Sequence, residues 1–334
     1  MQKIVHLMKL LVTGGLGFIG SNFILQTLKN NSDLEIINLD AGFFGSNSQN
    51  LKNLETSKNY QFVKGNITDF DLMKKLIEQS DAVINFAAES FVDRSISNAK
   101  PFLDSNVTGV FTILEIIKKL PKRFVHISTD EVFGSLSEGT ANEFSRYNPS
   151  NPYSATKASA ELLINSYIIT YDCDCLITRC TNNYGPRQFP EKLIPKVIIL
   201  ASQNMKIPVY GTGKNVRDWL YVDDHCDAIY DVLNFGNGGE SYNISANNEL
   251  DNLYIVKKIL SLMNKSEELI DFVDDRPGHD LRYSMSSSKI QKKLNWKPKI
   301  SFEIGLTNTI NWYLENKDFW ENSKEYLKST PWKS

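Results

Sequence analysis

The stretch LLVTGGLGFIG, residues 10–20, decides how the rest of the chain is read. A short apolar run leads straight into Gly14, Gly17 and Gly20, spaced G-x-x-G-x-x-G, and then into apolar residues at helical spacing. Glycines here let the chain turn tightly and bring backbone N–H groups close to a pyrophosphate, which the helix N-terminus then stabilises. A glycine triplet alone also occurs in plain turns; between a strand and a helix it reads as a dinucleotide-binding turn, with Phe18 and Ile19 inside it. Twenty residues past Gly20 the second apolar run ends at Asp40, whose carboxylate suits the adenosine ribose hydroxyls and repels a 2′-phosphate. Residues 41–50, AGFFGSNSQN, contain no Lys or Arg to attract one. The expected cofactor is NAD rather than NADP.

Working outward, LLVT (10–13), EIINL (35–39), YQFVKG (60–65), AVINFA (82–87), RFVHIS (123–128) and CLITRC (175–180) read as strands. Segments 20–30, 69–79, 101–119 and 153–171 carry apolar residues at helical spacing. This alternation predicts an α/β fold, a doubly wound parallel sheet covered on both faces, over residues 1–179. After about residue 180 the pattern loosens, with Pro186, Pro190, Pro195, Pro208, Gly211 and Gly213 as punctuation. Residues 180–334 are expected to form mainly a smaller mixed α/β substrate domain, with some segments returning to the first and a ligand cleft between them.

In 334 residues, 37 Lys plus Arg face 39 Asp plus Glu, so no basic field argues for nucleic acid or an acidic membrane. An anionic ligand must then be held by local groups. Four cysteines without a C-x-x-C pair read as reduced thiols of a cytoplasmic protein. Lys9 interrupts the N-terminal apolar stretch, and no apolar run is long enough for a bilayer span, so no signal peptide or membrane segment is expected.

The fifth strand ends in Ser128-Thr129-Asp130-Glu131, at the edge where an open parallel sheet meets its ligand. The two carboxylates fit a catalytic acid pair; they also fit a helix-capping device. Downstream, Tyr153-Ser-Ala-Thr-Lys157 opens a helix after Asn151-Pro152, and the i, i+4 spacing puts phenol and ammonium on one face. A cation beside the phenol is expected to favour phenolate.

The chain resembles the extended short-chain dehydrogenase/reductases, and among them the dTDP-glucose 4,6-dehydratases. The resemblance rests on TGGLGFIG (13–20), NFAAESFVDRSI (85–96), HISTDEVFG (126–134), PYSATKA (152–158), NNYGPRQFPEKLIP (182–195), RDWLYVDDH (217–225) and DRPGHDLRY (275–283), in order over nearly the whole chain. It implies a Rossmann-type domain and an NAD-dependent lyase in which Tyr153, assisted by Lys157, takes the C4 hydroxyl proton and Thr129 hydrogen-bonds the C4 oxygen. Glu131 would remove the C5 proton while Asp130 protonates the departing C6 hydroxyl. It further places Asn66, Ile67, Ala87, Ala88, Glu89, Ser105 and Asn183 at the cofactor. Ser90, Asn182, Lys192, Leu193, Pro208, Tyr210, Arg217, Asn252, Arg276 and His279 fall on substrate-binding positions. Lys192, Arg217 and Arg276 suit a diphosphate clamp.

Phe91 replaces the family's usual His, and Phe133 its usual Tyr; both are expected to bear on the sugar pocket. Asn66 replaces an adenine-contacting Asp. UDP-N-acetylglucosamine and UDP-glucose, with or without C5 epimerisation, stay open beside dTDP-glucose, as does 4-epimerisation by Tyr153 and Lys157 alone. Helices near 101–119 and 153–171 carry more apolar residues than one sheet-facing stripe needs, and a two-fold homodimer through them is expected.

Overall fold

The computed structural model describes residues 9–321, 323 and 327. Seven parallel strands form its main sheet: β1 (Lys9–Thr13), β2 (Glu35–Asp40), β3 (Tyr60–Lys64), β4 (Ala82–Asn85), β5 (Arg123–Thr129), β6 (Cys175–Cys180) and, from far later in the chain, β10 (Ser241–Ile244). Their order is β3–β2–β1–β4–β5–β6–β10. Alternation along each strand serves two cores. Leu10, Val12, Ile84 and Val125 pack on one face, with Ile229 and Val232. Leu11, Val83 and Phe124 pack on the other, with Ile113 and Ile164. Central strands buried on both faces explain why these runs are continuously apolar instead of alternating.

The strand order reverses between β1 and β4, and a crevice opens there at the carboxyl ends. The second half supplies β7 (Asn182–Tyr184), β8 (Ile207–Tyr210), β9 (Val216–Tyr221), β11 (Glu249–Asp251) and β12 (Ile270–Val273). β11, β9 and β7 make a three-stranded sheet, and β12 pairs with β8. Helices Leu193–Ser202, Asn252–Leu262 and Phe302–Glu315 close a separate core over them, including Ile198, Trp219, Ile255 and Leu306. This half also returns to the first sheet through β10, which pairs in parallel with β6 from Ser241↔Ile177 to Ile244↔Cys180.

Two local features differ from the periodicity reading. The helix over 101–119 is not continuous: a turn at Lys100–Phe102 passes into a π-helical turn, Leu103–Thr108, before the helix Gly109–Ile117. Such turns recur at functional sites because they re-aim side chains. Here the turn carries buried Asn106. Second, β3 ends at Lys64 and β4 at Asn85, leaving Gly65, Phe86 and Ala87 to line the crevice.

Behind β5 lies a buried ionic cluster. Arg179 on β6 bonds Glu161 Oε2 through Nη2 (2.6 Å) and Nε (2.8 Å), Glu161 accepts from Ser128 Oγ (2.5 Å), and Tyr147 and Asn243 complete the guanidinium's partners. Phe133 belongs to this region, stacked on Tyr147 with Arg179 5.1 Å above its ring. The expectation that Phe133 shapes the sugar pocket is thereby corrected: it packs with Val132, Ala141, Ala158 and Met285, behind the acid pair. No described helix is long and apolar enough to cross a membrane, and the described residues hold no group of three metal-ligating side chains.

Candidate active site

The glycine turn forms a cradle that side chains would fill. Gly14 has φ +74°, and a Cβ there would lie 2.5 Å from the backbone nitrogen of Ala87; a Cβ on Gly20 would lie 2.5 Å from the Gly14 oxygen. Gly17 caps the helix Phe18–Asn30 without a side-chain hydrogen bond, and the first turn holds no acid. Its N–H groups are thus an uncontested anion seat. Asp40 accepts from Leu16 N (2.9 Å) and Gly42 N (2.8 Å), one bond per oxygen, leaving a lone pair on each for a ribose hydroxyl. Burial pushes its carboxyl above the usual range, opposed by those two N–H groups. A bare glycine cradle beside an oriented carboxylate fits a dinucleotide.

Gly14, Gly17, Phe18, Ile19, Gly20 and Asp40 all line the crevice, as do Asn66 and Ile67 beyond β3 and Ala87, Ala88 and Glu89 beyond β4. Ser105 joins them from the π-turn, Tyr153 and Lys157 from the helix Pro152–Tyr171, and Asn183 from β7. The Glu89 backbone is clamped by a residue that sequence reading missed. Asn106 accepts from Glu89 N (2.9 Å) and donates to Glu89 O (3.0 Å) and Thr156 Oγ1 (3.0 Å). Periodicity carries no signal for a π-turn; the polar run Asp104-Ser105-Asn106 inside a helical stretch was the available hint.

At the end of β5 the capping role falls to Thr129, not to the acids. Its Oγ1 accepts from Glu131 N (3.3 Å) and donates to Asp130 Oδ1 (3.2 Å). Both carboxyl groups are thereby released to the crevice they line. Asp130 is pushed up to about 8, first by burial and then by the charge of Glu131, against the pull of Arg217. Among the described residues its Oδ2 has no hydrogen-bond partner. Glu131 is also raised by burial, but Arg276, Arg217 and Lys192 all oppose the rise. The two environments differ: the charge of Glu131 adds to the rise at Asp130, whereas three cations oppose the rise at Glu131.

Tyr153 sits in the first turn of Pro152–Tyr171, whose start is fixed by reciprocal capping: Asn151 Oδ1 accepts from Ser154 N (3.0 Å) and Asn151 N donates to Ser154 Oγ (3.3 Å). One turn on, Lys157 donates from Nζ to Ile127 O (2.6 Å) and lies 3.2 Å from His126 Nε2. Burial pushes this ammonium down to about 8, with Glu161 and Cys180 opposing. The phenol differs from expectation. It is held well above its usual range, by burial first and Glu131 next.

Of the expected substrate positions, Ser90, Thr129, Asn182 and Lys192 line the crevice. Leu193, Pro208, Tyr210, Arg217, Asn252, Arg276 and His279 are not among its lining residues. Lys192 donates to Ser90 O (3.0 Å) beneath the Phe91 ring, 4.4 Å from its centroid. Arg217 spends its N–H groups on the carbonyls of Val216, Asp280 and Leu281 and lies over Tyr283. Arg276 pairs with Asp93 (2.6 Å) yet keeps a buried Nε with no partner among the described residues. His279 leans on Asp275 (2.6 Å), and burial, with Arg276 beside it, pushes it down to about 4. Pro208 and Tyr210 lie on β8, while Leu193 and Asn252 open two helices of the second half. Phe91 does face the crevice, packed edge-on against Phe44 (4.8 Å) and Phe189 (5.5 Å).

A doubly wound sheet with a glycine cradle, Asp40, an acid pair and a Tyr/Lys helix defines an extended short-chain dehydrogenase/reductase. A profile of the GDP-mannose 4,6 dehydratase family matches residues 11–309. The low-salt glycan biosynthesis protein Agl12 of Haloferax volcanii is 48% identical over 92% of this chain and 99% of its own length. The dTDP-glucose 4,6-dehydratase of Xanthomonas campestris pv. campestris (strain B100) is 45% identical over 92% of this chain and 93% of its own. The crystal structure of the dTDP-glucose 4,6-dehydratase of Streptomyces venezuelae with NAD and TYD bound superposes with TM-score 0.92 at 42% identity, covering 96% of this chain and all of that one. A UDP-glucuronic acid 4-epimerase of Bacillus cereus superposes at 0.87 but is 28% identical. The chain belongs to the family of nucleotide-sugar 4,6-dehydratases.

Proposed function

We propose that this enzyme removes water from dTDP-glucose, using NAD as a resident cofactor, to give the 4-keto-6-deoxy sugar nucleotide. The observation that carries the reading is the acid pair itself: Asp130 and Glu131 both line the crevice with Tyr153 and Lys157, with burial and Glu131 pushing Asp130 up to about 8 and three cations opposing the rise at Glu131. An epimerase-like reaction by Tyr153 and Lys157 has no use for such a pair. The similarity to dTDP-glucose enzymes over nearly the full chain supports the choice of sugar nucleotide.

The glycine cradle and Asp40 would hold NAD, which would supply the hydride chemistry, oxidation at C4 and reduction at C6. The chain's own residues handle the protons. Tyr153, which must first give up its own phenolic proton, takes the C4 hydroxyl proton with Lys157 assisting, and Thr129 holds the C4 oxygen. The ketone acidifies C5, whose proton Glu131 removes; Asp130 protonates the C6 hydroxyl as it leaves, and the protonated Glu131 then gives its proton back to C5. Ser90, Asn182, Lys192, Leu193, Pro208, Tyr210, Arg217, Asn252, Arg276 and His279 are assigned to the sugar nucleotide, with the orphan Nε of Arg276 as a donor for its diphosphate. Mass spectrometry on dTDP-glucose, UDP-glucose and UDP-N-acetylglucosamine tests this: loss of one water from dTDP-glucose is expected, and loss only from a UDP sugar would refute the choice of substrate. Activity with NAD should far exceed that with NADP, since Asp40 repels a 2′-phosphate.

The pH profile should follow Asp130. As an acid it must carry its proton, which it does below about 8, so kcat should fall as pH rises through that value. A rate that stays flat well above pH 8 would remove Asp130 from this role.

The enzyme is proposed to work in the cytoplasm as a homodimer. Phe111 on Gly109–Ile117 and Leu162 and Ile169 on Pro152–Tyr171 are 45%, 57% and 85% exposed, apolar groups that a partner copy would cover. Light scattering should give about twice 38.0 kDa, and Leu162→Glu with Ile169→Glu should halve it.

A further inference from the structure

Three residues in register across the sheet tie the glycine turn to Lys157. Thr13 on β1 is paired with Asn85 on β4, and Asn85 with His126 on β5. Their side chains follow the same line: Thr13 Oγ1 donates to Asn85 Oδ1 (2.6 Å), Asn85 Nδ2 lies 3.1 Å from His126 Nδ1, and His126 Nε2 lies 3.2 Å from Lys157 Nζ. None of Thr13, Asn85 and His126 is more than 1% exposed, and Lys157 is 3% exposed. The four side chains meet one another directly, so the donor–acceptor count among them is tight.

That count has consequences. Burial and the neighbouring lysine hold His126 well below the usual imidazole range, so it is neutral, with one N–H and one lone pair. If Lys157 is an ammonium, Nε2 must accept from it; the hydrogen then sits on Nδ1, and Asn85 must offer its oxygen there. If Lys157 is a neutral amine, Nε2–H can donate to it, and Nδ1 accepts from the Asn85 NH₂. The Asn85 orientation described here suits the second state, and a half-turn of the amide gives the first. Thr13, as a hydroxyl, satisfies Asn85 in both.

We propose that His126 is a positioning residue for Lys157, whose tautomer switches with the charge of the lysine through a Thr13–Asn85–His126 ladder. The ladder lets the ammonium exist in a dry site without leaving a buried polar atom unpaired in either state. The other ionisable groups facing Lys157 are Tyr153 and Glu161 on its own helix and Cys180 on β6. Glu161 is committed to Arg179, which leaves His126 as the ionisable group hydrogen-bonded at Nζ. The proposal rests on the reading of Lys157 given above.

Nitrogen-15 NMR of the NAD-bound enzyme labelled at its histidines tests the switch directly, the His126 signals being assigned by their loss in His126→Gln. The Nδ1–H tautomer is expected at neutral pH, converting to Nε2–H as pH rises through about 8, where Lys157 releases its proton. One tautomer throughout would overturn the proposal. A second readout is the pH dependence of nicotinamide reduction in a Glu131→Gln background, which does not require Asp130 as acid. His126→Leu removes the acceptor at Nζ, so the alkaline limb should move down by about one pH unit. His126→Gln, which keeps an acceptor, should restore it in part, and Thr13→Val should shift it less. An unchanged limb in a folded, NAD-bound His126→Leu would also overturn it. Failure of every sugar nucleotide to lose water would instead strike the proposed activity, leaving the NMR result standing.

Discussion

Glu131→Gln is expected to stop the reaction halfway. The variant cannot remove the C5 proton, yet Tyr153, Lys157 and the cofactor cradle are untouched. Addition of substrate should therefore build up reduced nicotinamide absorbance while the 4-keto-6-deoxy product falls by roughly 10²–10⁴-fold, the scale for losing a positioned acid or base. Asp130→Asn should behave similarly, because in the proposed mechanism its buried Oδ2, without a partner among the described residues, donates to the leaving hydroxyl. Tyr153→Phe should differ in kind, with little reduced nicotinamide at all. Near wild-type dehydration by Glu131→Gln would remove that residue from the mechanism and bring an epimerase-like use of Tyr153 and Lys157 forward.

The largest effect on stability is expected from Arg179→Leu. Arg179 is 1% exposed and Glu161 0%, and the substitution leaves the carboxylate buried with only Ser128 and Tyr147 as partners. Breaking a buried pair from one side costs about 3–5 kcal/mol, because the remaining charge stays desolvated. Melting of Arg179→Leu should fall by several degrees, and the double variant Arg179→Leu/Glu161→Leu should recover much of the loss. Equal melting of the single variant and the parent would show the pair to be dispensable. Since Ser128 directly precedes Thr129, the single variant should also lose activity.

Much of this was legible from the residues alone. The six strands of the first half and the glycine turn announce themselves because both faces of the central strands are buried and the turn needs bare backbone. The Thr-Asp-Glu run was ambiguous between cap and acid pair; the geometry divides the tasks, giving the cap to Thr129 and the crevice to the acids. What escaped was non-local. The π-turn at Leu103–Thr108 exists to deliver Asn106 to Glu89, a contact 17 residues away that no helical period records. The resemblance placed Phe133, where the family has Tyr, at the sugar pocket, but the 3-10 turn Asp130–Phe133 carries it behind the acid pair onto Tyr147. The raised Tyr153 phenol was not legible because i, i+4 spacing fixes a shared face, not how deeply that face is buried or that Glu131 lies beside it.

The return of β10 to the main sheet bears on how the protein is made. While the chain emerges from the ribosome, the cofactor half can assemble six strands, but β6 then ends the sheet with its outer backbone groups unmatched. Ser241–Ile244 closes that edge only after the whole of β7, β8 and β9 has been synthesised. Until then an apolar strand, CLITRC, stands open to pairing with neighbouring nascent chains. A fragment stopped at residue 180 should accordingly aggregate, even though it contains every residue of the glycine cradle and both carboxyls of the acid pair. Synthesis must run well into the second half before the first has a finished edge.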